Sequence, residues 1–449
     1  MRVIGLDVGT TTLCALAADS ETGAILRSIT VPNETNIPGA AQERLQSPMQ
    51  ILRRCKELIR DLRDACGSIG CIGVTGQMHG ILYYDKSGNA VSPLYTWQDG
   101  SGNLTRGDTT FAAELSRKSG YKTASGFGSC TYYVHRQLDR VPAGAVGICT
   151  IHDYIAMQLA GEKRPLCHVS DAASLGLFDL QALRFDDEAI GRAELRDDLF
   201  PRVTAELTAV GTYDGIPVCV AVGDNQASFL GSVADMQRSL LVNMGTGGQV
   251  SFLSDGSDAG EMELRPMFAG QYICVGASLC GGRAFAMLES FLRETAELVT
   301  GQEIGSAYAA IDRYLAAHGA PEQPLGVDTR FCGTRTSPAL RGSIGGIGPG
   351  NFTPGHLIYG VLDGIVTELW DLYDSAAHPD HDTMVCSGNG LRKNPALRRA
   401  FSRRFGTKAV APVHTEEAAF GAALCAMTAG GAYDSIYDAQ KLIRYTEGD

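Results

Sequence analysis

Two aspartates stand where a carboxylate can meet a reacting group. In IPVCVAVGDNQASFLGS an apolar strand pattern breaks at Gly223 and delivers Asp224 to its end, ahead of a helical pattern. A carboxylate so placed can take the proton of an attacking hydroxyl. It can equally cap the helix that follows, and spacing alone leaves both readings open. Asp7 precedes a Gly9-Thr10 turn in VIGLDVGTTTLCALAAD. Glycine lets an anion approach the backbone N–H groups of such a turn, and threonine adds a hydroxyl donor. Asp7 is then a candidate Mg²⁺ ligand, directly or through water. NMGTGG, from Asn243 to Gly248, repeats the turn with asparagine in place of aspartate, so a single metal site is expected. Three polar insertions interrupt apolar sequence: Gln77-Met78-His79, Trp97-Gln98-Asp99 and His152-Asp153. Together they supply the aromatic face and hydrogen-bonding groups of a sugar site. Each alone also fits a surface turn or a satisfied core group.

The elements that position these residues are legible as a repeat. The chain opens as strand, Gly-Thr turn, strand, with a third strand in AILRSITV after the turn at Ser20 to Gly23. SLLVNMGTGGQVSFLSD, from Ser239 to Asp255, has the same form and is followed by QYICVGASL. Two such openings predict a duplicated α/β fold divided near residue 233, with domains 1–232 and 233–449. Between them SPMQILRRCKELIRDLRDAC reads as an amphipathic helix, with Ser47 as cap and Pro48 in its first turn. Met49, Leu52, Cys55, Leu58, Ile59 and Leu62 are expected on its apolar face.

A chain of 449 residues is long for one core and favours two domains. The net charge of −12 argues against a partner such as nucleic acid, which calls for a basic stripe. No apolar run has the roughly 18 residues of a membrane span, and the N-terminus enters a strand pattern without signal-peptide architecture. The 13 cysteines are scattered, with no C-x-x-C pair, and read as reduced and mostly buried in a cytoplasmic protein. The loop His378 to Asp382 reads as a solvated polar loop, and zinc spacing is absent. P-loop, Rossmann and protein-kinase signatures are also missing.

In order, these segments resemble the FGGY family of carbohydrate kinases. The resemblance is carried by GLDVGTTT, TGQMHG (Thr75 to Gly80), YTWQDGS (Tyr95 to Ser101), IHDYIAMQLAG (Ile151 to Gly161) and SDAASLGLFD (Ser170 to Asp179). It continues through GDNQAS, NMGTGG, SGNGLRKNPALRRAF (Ser387 to Phe401) and EEAAFGAAL (Glu416 to Leu424). It implies two actin-like (ribonuclease H-like) domains with a cleft between them, ATP as co-substrate and Mg²⁺ as cofactor. Asp224 would be the general base, with Asp7 and Asp224 beside the metal. Thr10, Thr11 and Thr12 with Gly245, Thr246 and Gly247 would cradle the phosphates, and Gly388, Asn389, Gly390 and Asn394 would lie along the adenosine. Gln77, Met78, His79, Trp97, Asp99 and Asp224 would face the sugar. YTWQDG, SGFGSCTYYV (Ser125 to Val134) and the His152-Asp153 segment are most similar to the branch that acts on sedoheptulose. Xylulose or another pentulose is the alternative substrate, and a non-enzymatic actin-like ATP-binding protein the alternative of another class. Ser101 stands where the family often has arginine. A homodimer is left open.

Overall fold

The computed structural model describes residues 1–268, 270–334, 337 and 339–446. The chain forms two compact units. The first comprises Met1–Ala234, Arg265–Tyr272 and Glu416–Ile443, and the second Asp235–Leu264, Ile273–Thr415 and Arg444–Asp449.

Each unit is built on its own sheet, and the two sheets share a topology. In the first, Arg2–Val8, Thr12–Asp19 and Ile25–Pro32 pair antiparallel in sequence, because each connection is a tight turn. Cys71–Gly76 then returns parallel beside Arg2–Val8. Ile216–Cys219 and Val222–Gly223 lie parallel on the far side of Cys71–Gly76. In the second, Ser239–Met244 pairs antiparallel with Gly248–Ser254 and parallel with Thr383–Ser387, which is followed by Lys408–Pro412. Tyr272–Ser278 lies outside Gly248–Ser254. Each sheet has seven strands, and the five-strand core common to both, numbered in chain order, runs three-two-one-four-five, the duplication expected from the repeated Gly-Thr hairpin.

Helix Pro48–Cys66 covers the first sheet. Ser47 caps it by accepting the N–H of Gln50 at 3.4 Å, and Pro48 opens it. The buried stripe is Pro48, Ile51, Leu52, Cys55, Leu58, Ile59 and Leu62. Met49 is instead 57% exposed. At about 100° per residue it falls roughly a third of a turn from the centre of that stripe, and Ile51 takes the place expected of it.

Helix Glu417–Ala429, near the end of the sequence, belongs to the first unit. A Cβ on Gly5 would lie 1.8 Å from the Ala419 carbonyl oxygen, and one on Gly73 1.9 Å from that of Ala422. Only glycine lets the helix backbone settle onto those two strands. Gly231 and Gly421 make the crossing with helix Asp224–Ser232 equally close.

Between Cys71–Gly76 and Ile216–Cys219 the first unit carries a long insertion with its own apolar cluster, including Tyr83, Tyr132, Leu175, Phe178 and Phe185. This insertion holds most of the polar residues singled out above. All 13 cysteines are free thiols, with Cys66 and Cys332 partly exposed and the rest buried. Among the described residues no helix is long and apolar enough to cross a membrane.

Candidate active site

Asp224 is placed by strand Val222–Gly223, which follows Cys71–Gly76 in register, Val222 beside Thr75 and Gly223 beside Gly76. The Thr75 hydroxyl donates to the Val222 carbonyl at 2.7 Å and pins the strand end. Gly223, not Asp224, is the cap residue of helix Asp224–Ser232, and that cap makes no side-chain hydrogen bond. The Asp224 carboxyl therefore does not serve as the helix cap. Burial raises its pKa to about 6, although His152 and Arg265 pull the other way. It is ionised at neutral pH, with enough basicity to receive a proton.

Asp7 lies on Arg2–Val8 opposite Cys14 and beside Thr75. Burial, and then the negative charge of Asp224, push it to about 7. Its Oδ1 is buried without a hydrogen-bond partner among the described residues. An orphaned carboxylate oxygen and two mutually repelling carboxyls are what a hard divalent cation relieves, so these residues fit Mg²⁺.

The turn after Asp7 is tied to the insertion by side chains. The Thr10 hydroxyl donates to Gln77 Oε1 at 3.2 Å and receives the Trp97 indole N–H at 2.9 Å. Gln46 joins Thr10 and Gln77: its Nε2 donates to the Thr10 carbonyl at 2.8 Å, and its Oε1 receives Gln77 Nε2 at 2.9 Å. Asn33 donates to the Gly9 carbonyl at 2.8 Å. Thr11 and Thr12 are exposed. Trp97 is 48% exposed, with its ring face available and its N–H spent on Thr10.

Met78, His79 and Asp99 are set from the other side. Met78 fills the space beside Gly223, where a Cβ would meet its sulfur at 2.8 Å. His79 has φ +72°, a left-handed backbone rare for a non-glycine residue, and its ring stacks on Phe127 at 4.7 Å. Asp99 is buried; its Oδ1 accepts the Ser101 N–H at 2.9 Å and its Oδ2 has no partner. Burial holds its carboxyl above the usual range. Ser101 thus turns its backbone onto Asp99.

His152 opens helix Ile151–Ala160, which Thr150 caps. Its Nε2 lies 2.9 Å from Asp171 Oδ2, with both side chains wholly buried. Burial alone would lower the imidazole pKa, but the Asp171 charge outweighs it and lifts His152 to about 9. The result is a buried cation that favours the ionised form of Asp224. Asp171 also accepts the Thr150 hydroxyl at 2.7 Å. Burial and the Asp171 charge push the Asp153 carboxyl well above the usual carboxylate range. Gln46 and Asn33 carried no sequence signal beyond polar residues amid apolar ones; Asp171 and Ser174 lie in SDAASLGLFD, which carried the resemblance without assigning either a role.

In the second unit the turn is held by backbone. The Gly282 N–H donates to the Gly245 carbonyl at 3.1 Å, and that of Arg283 to Thr246 at 3.0 Å. Gly388, at φ +77°, and Gly390 abut Met244: their missing Cβ atoms would lie 2.5 and 2.9 Å from its carbonyl oxygen. Gly245 and Asn389 are exposed. Asn394 caps helix Pro395–Phe405 through its Oδ1, which accepts the Leu397 N–H at 2.9 Å.

The first unit thus holds a strand-end carboxylate and a second carboxylate with an orphaned oxygen, and each unit carries a glycine-rich turn. The chain belongs to the FGGY family of carbohydrate kinases: its N-terminal domain model matches residues 2–231 and its C-terminal domain model residues 240–430. Within curated proteins it is similar to the sedoheptulokinase of Mus musculus, 27% identical over 94% of this chain and 96% of that one. It is also similar to the sedoheptulokinase of Homo sapiens, 28% identical over 90% and 92%. Among solved structures, xylulose kinase from Rhodospirillum rubrum matches with a TM-score of 0.84 at 20% identity, covering all of this chain and 93% of the other.

Proposed function

We propose that this chain transfers the terminal phosphoryl group of ATP to the terminal hydroxyl of a ketose, sedoheptulose first, giving sedoheptulose 7-phosphate. The observation that carries the reading is Asp224: a partly buried carboxyl at a strand end, raised to about 6, beside the loop that holds Gln77, Met78 and His79. Asp224 orients the ketose hydroxyl and accepts its proton as the oxygen attacks the γ-phosphorus and the bond to ADP breaks. Gln77, Met78, His79, Trp97 and Asp99 position the sugar, with Thr10 fixing Gln77 and Trp97 relative to the turn.

Residues 1–232 then supply the sugar and base functions and residues 233–449 the nucleotide functions. Gly245, Thr246 and Gly247 offer backbone to the phosphates, as do Thr10, Thr11 and Thr12. Gly388, Asn389, Gly390 and Asn394 take the adenosine. Asp7 and Asp224 are the residues that would hold Mg²⁺, which when bound neutralises phosphate charge during transfer. Free, mostly buried thiols are consistent with a reducing, cytoplasmic setting.

Substrate choice is supported by similarity to the two sedoheptulokinases over almost the whole chain. A pentulose is the second reading, favoured by the fold likeness to xylulose kinase. ADP release with Mg·ATP across sedoheptulose, xylulose, ribulose and fructose tests this directly. The expected result is a kcat/KM for sedoheptulose at least about tenfold above the others. Preference for a pentulose would overturn the substrate assignment and leave the kinase chemistry. No sugar-stimulated ADP release with any ketose would overturn the ketose kinase reading itself.

A further inference from the structure

Three buried side chains lie between the base and the loop that holds His79, and the two serines among them have no role in the proposed reaction. They fall within five residues of chain: Ser170, Asp171 and Ser174. The Ser170 hydroxyl accepts the N–H of Gly223, the residue before the base, at 3.1 Å. The Ser170 carbonyl accepts Gln226 Nε2, two residues past the base, at 3.2 Å. The turn carrying Asp224 is therefore gripped on both sides by one residue 53 positions away.

Ser174 does the same for His79. Its hydroxyl accepts the His79 backbone N–H at 3.0 Å and donates to Asp171 Oδ1 at 3.2 Å. Its carbonyl lies 2.7 Å from His79 Nδ1. A carbonyl oxygen can only accept, so Nδ1 carries a proton and the contact fixes the orientation of the ring. The left-handed backbone at His79 costs energy and persists only where its surroundings hold it, and Ser174 holds it at both the backbone and the ring. Asp171 locks the two serines into the core through Thr150 and His152.

We infer that Ser170 and Ser174 are positioning residues for phosphoryl transfer, and that their short segment fixes the base turn and the sugar loop relative to each other. Ser170 acts through Asp224 and sets the rate of transfer. Ser174 acts through His79 and sets affinity for the ketose by fixing the backbone and ring orientation with which His79 meets the sugar. This inference rests on Asp224 as base and His79 as sugar contact.

The test is steady-state kinetics of Ser170→Ala and Ser174→Ala on the whole chain, with rates normalised to the fraction that binds ATP in an equilibrium titration. Each substitution removes one hydrogen-bonded anchor, an effect of about five- to tenfold. Ser174→Ala is expected to raise the ketose KM by about that factor, with kcat within about twofold and the ATP KM unchanged. Ser170→Ala is expected to lower kcat by a similar factor with the ketose KM unchanged. Ser170→Thr and Ser174→Thr, which keep the hydroxyls, should return both values toward the parent. Loss of folded protein alone would lower the ATP-binding fraction and leave normalised kcat and KM where they were. That outcome in both alanine variants would overturn the inference. Asp224→Asn, run alongside, separates the two layers. If it is inert while the alanine variants match the parent, the inference fails and the base assignment stands; if it turns over freely, both fail.

Discussion

The two Gly-Thr hairpins share a register and differ in what holds them. Asp7 lies opposite Cys14 and beside Thr75; Asn243 lies opposite Gln249 and beside Ser387, at the same place in its own sheet. In the first hairpin four residues separate the last pair, Val8 and Leu13, whereas in the second only three separate Met244 from Gly248. The longer turn is bound by side chains of Asn33, Gln46, Gln77 and Trp97. The shorter one is bound by the backbone of Gly282 and Arg283. A duplicated frame has thus been put to two uses. The first copy carries a charged group with an orphaned oxygen and is wired to the residues assigned to the sugar. The second is neutral at the matching position and presents mainly backbone, which suits an anion of fixed shape.

Removing the charge from the first copy should break the comparison most severely. Asp7→Asn gives the two hairpins the same residue at the matched position, and kcat should fall by at least about a hundredfold, the scale of losing a metal-directed carboxylate. The converse, Asn243→Asp, places a carboxylate at a turn assigned to phosphate and should raise the ATP KM by roughly tenfold, with the ketose KM unchanged. Steady-state kinetics on the two variants read both effects. Equal losses from both would mean that the hairpins are not specialised.

The remaining predictions concern the frame and are read as stability. Gly5→Ala forces a methyl to within 1.8 Å of the Ala419 carbonyl oxygen and should cost about 3 kcal/mol or more of stability. Gly245→Ala meets nothing within 4 Å and should leave the thermal midpoint within a degree or two, by the small cost expected of an open surface site. Calorimetry of the two variants tests whether glycine serves packing in one copy and exposure in the other.

The hairpins and Asp224 were legible because local pattern encodes them: apolar alternation, a glycine at the break and a polar residue at the strand end. Helix Pro48–Cys66 was legible from its cap and stripe, apart from Met49, whose angular offset shows only once the stripe is centred on Ile51 and Cys55. What stayed hidden is long-range. Nothing near Gly5 announces that a helix more than 400 residues later will rest on it. SDAASLGLFD shows serine and aspartate in an apolar setting, but their partners at Gly223, His79 and His152 lie on separate elements. The apolar stretch EEAAFGAALCAMTA gives no amphipathic face by which to foresee its docking between strands and helix Asp224–Ser232.

The measurement that tests the central claim most directly is turnover and ATP binding by Asp224→Asn. The substitution keeps the size of the side chain and removes its capacity to accept a proton. The account predicts a fall in kcat of about a thousandfold, with ATP binding within about twofold of the parent because the phosphate turns keep their hydrogen bonds. Turnover within about tenfold of the parent would contradict the assignment of Asp224 as the base.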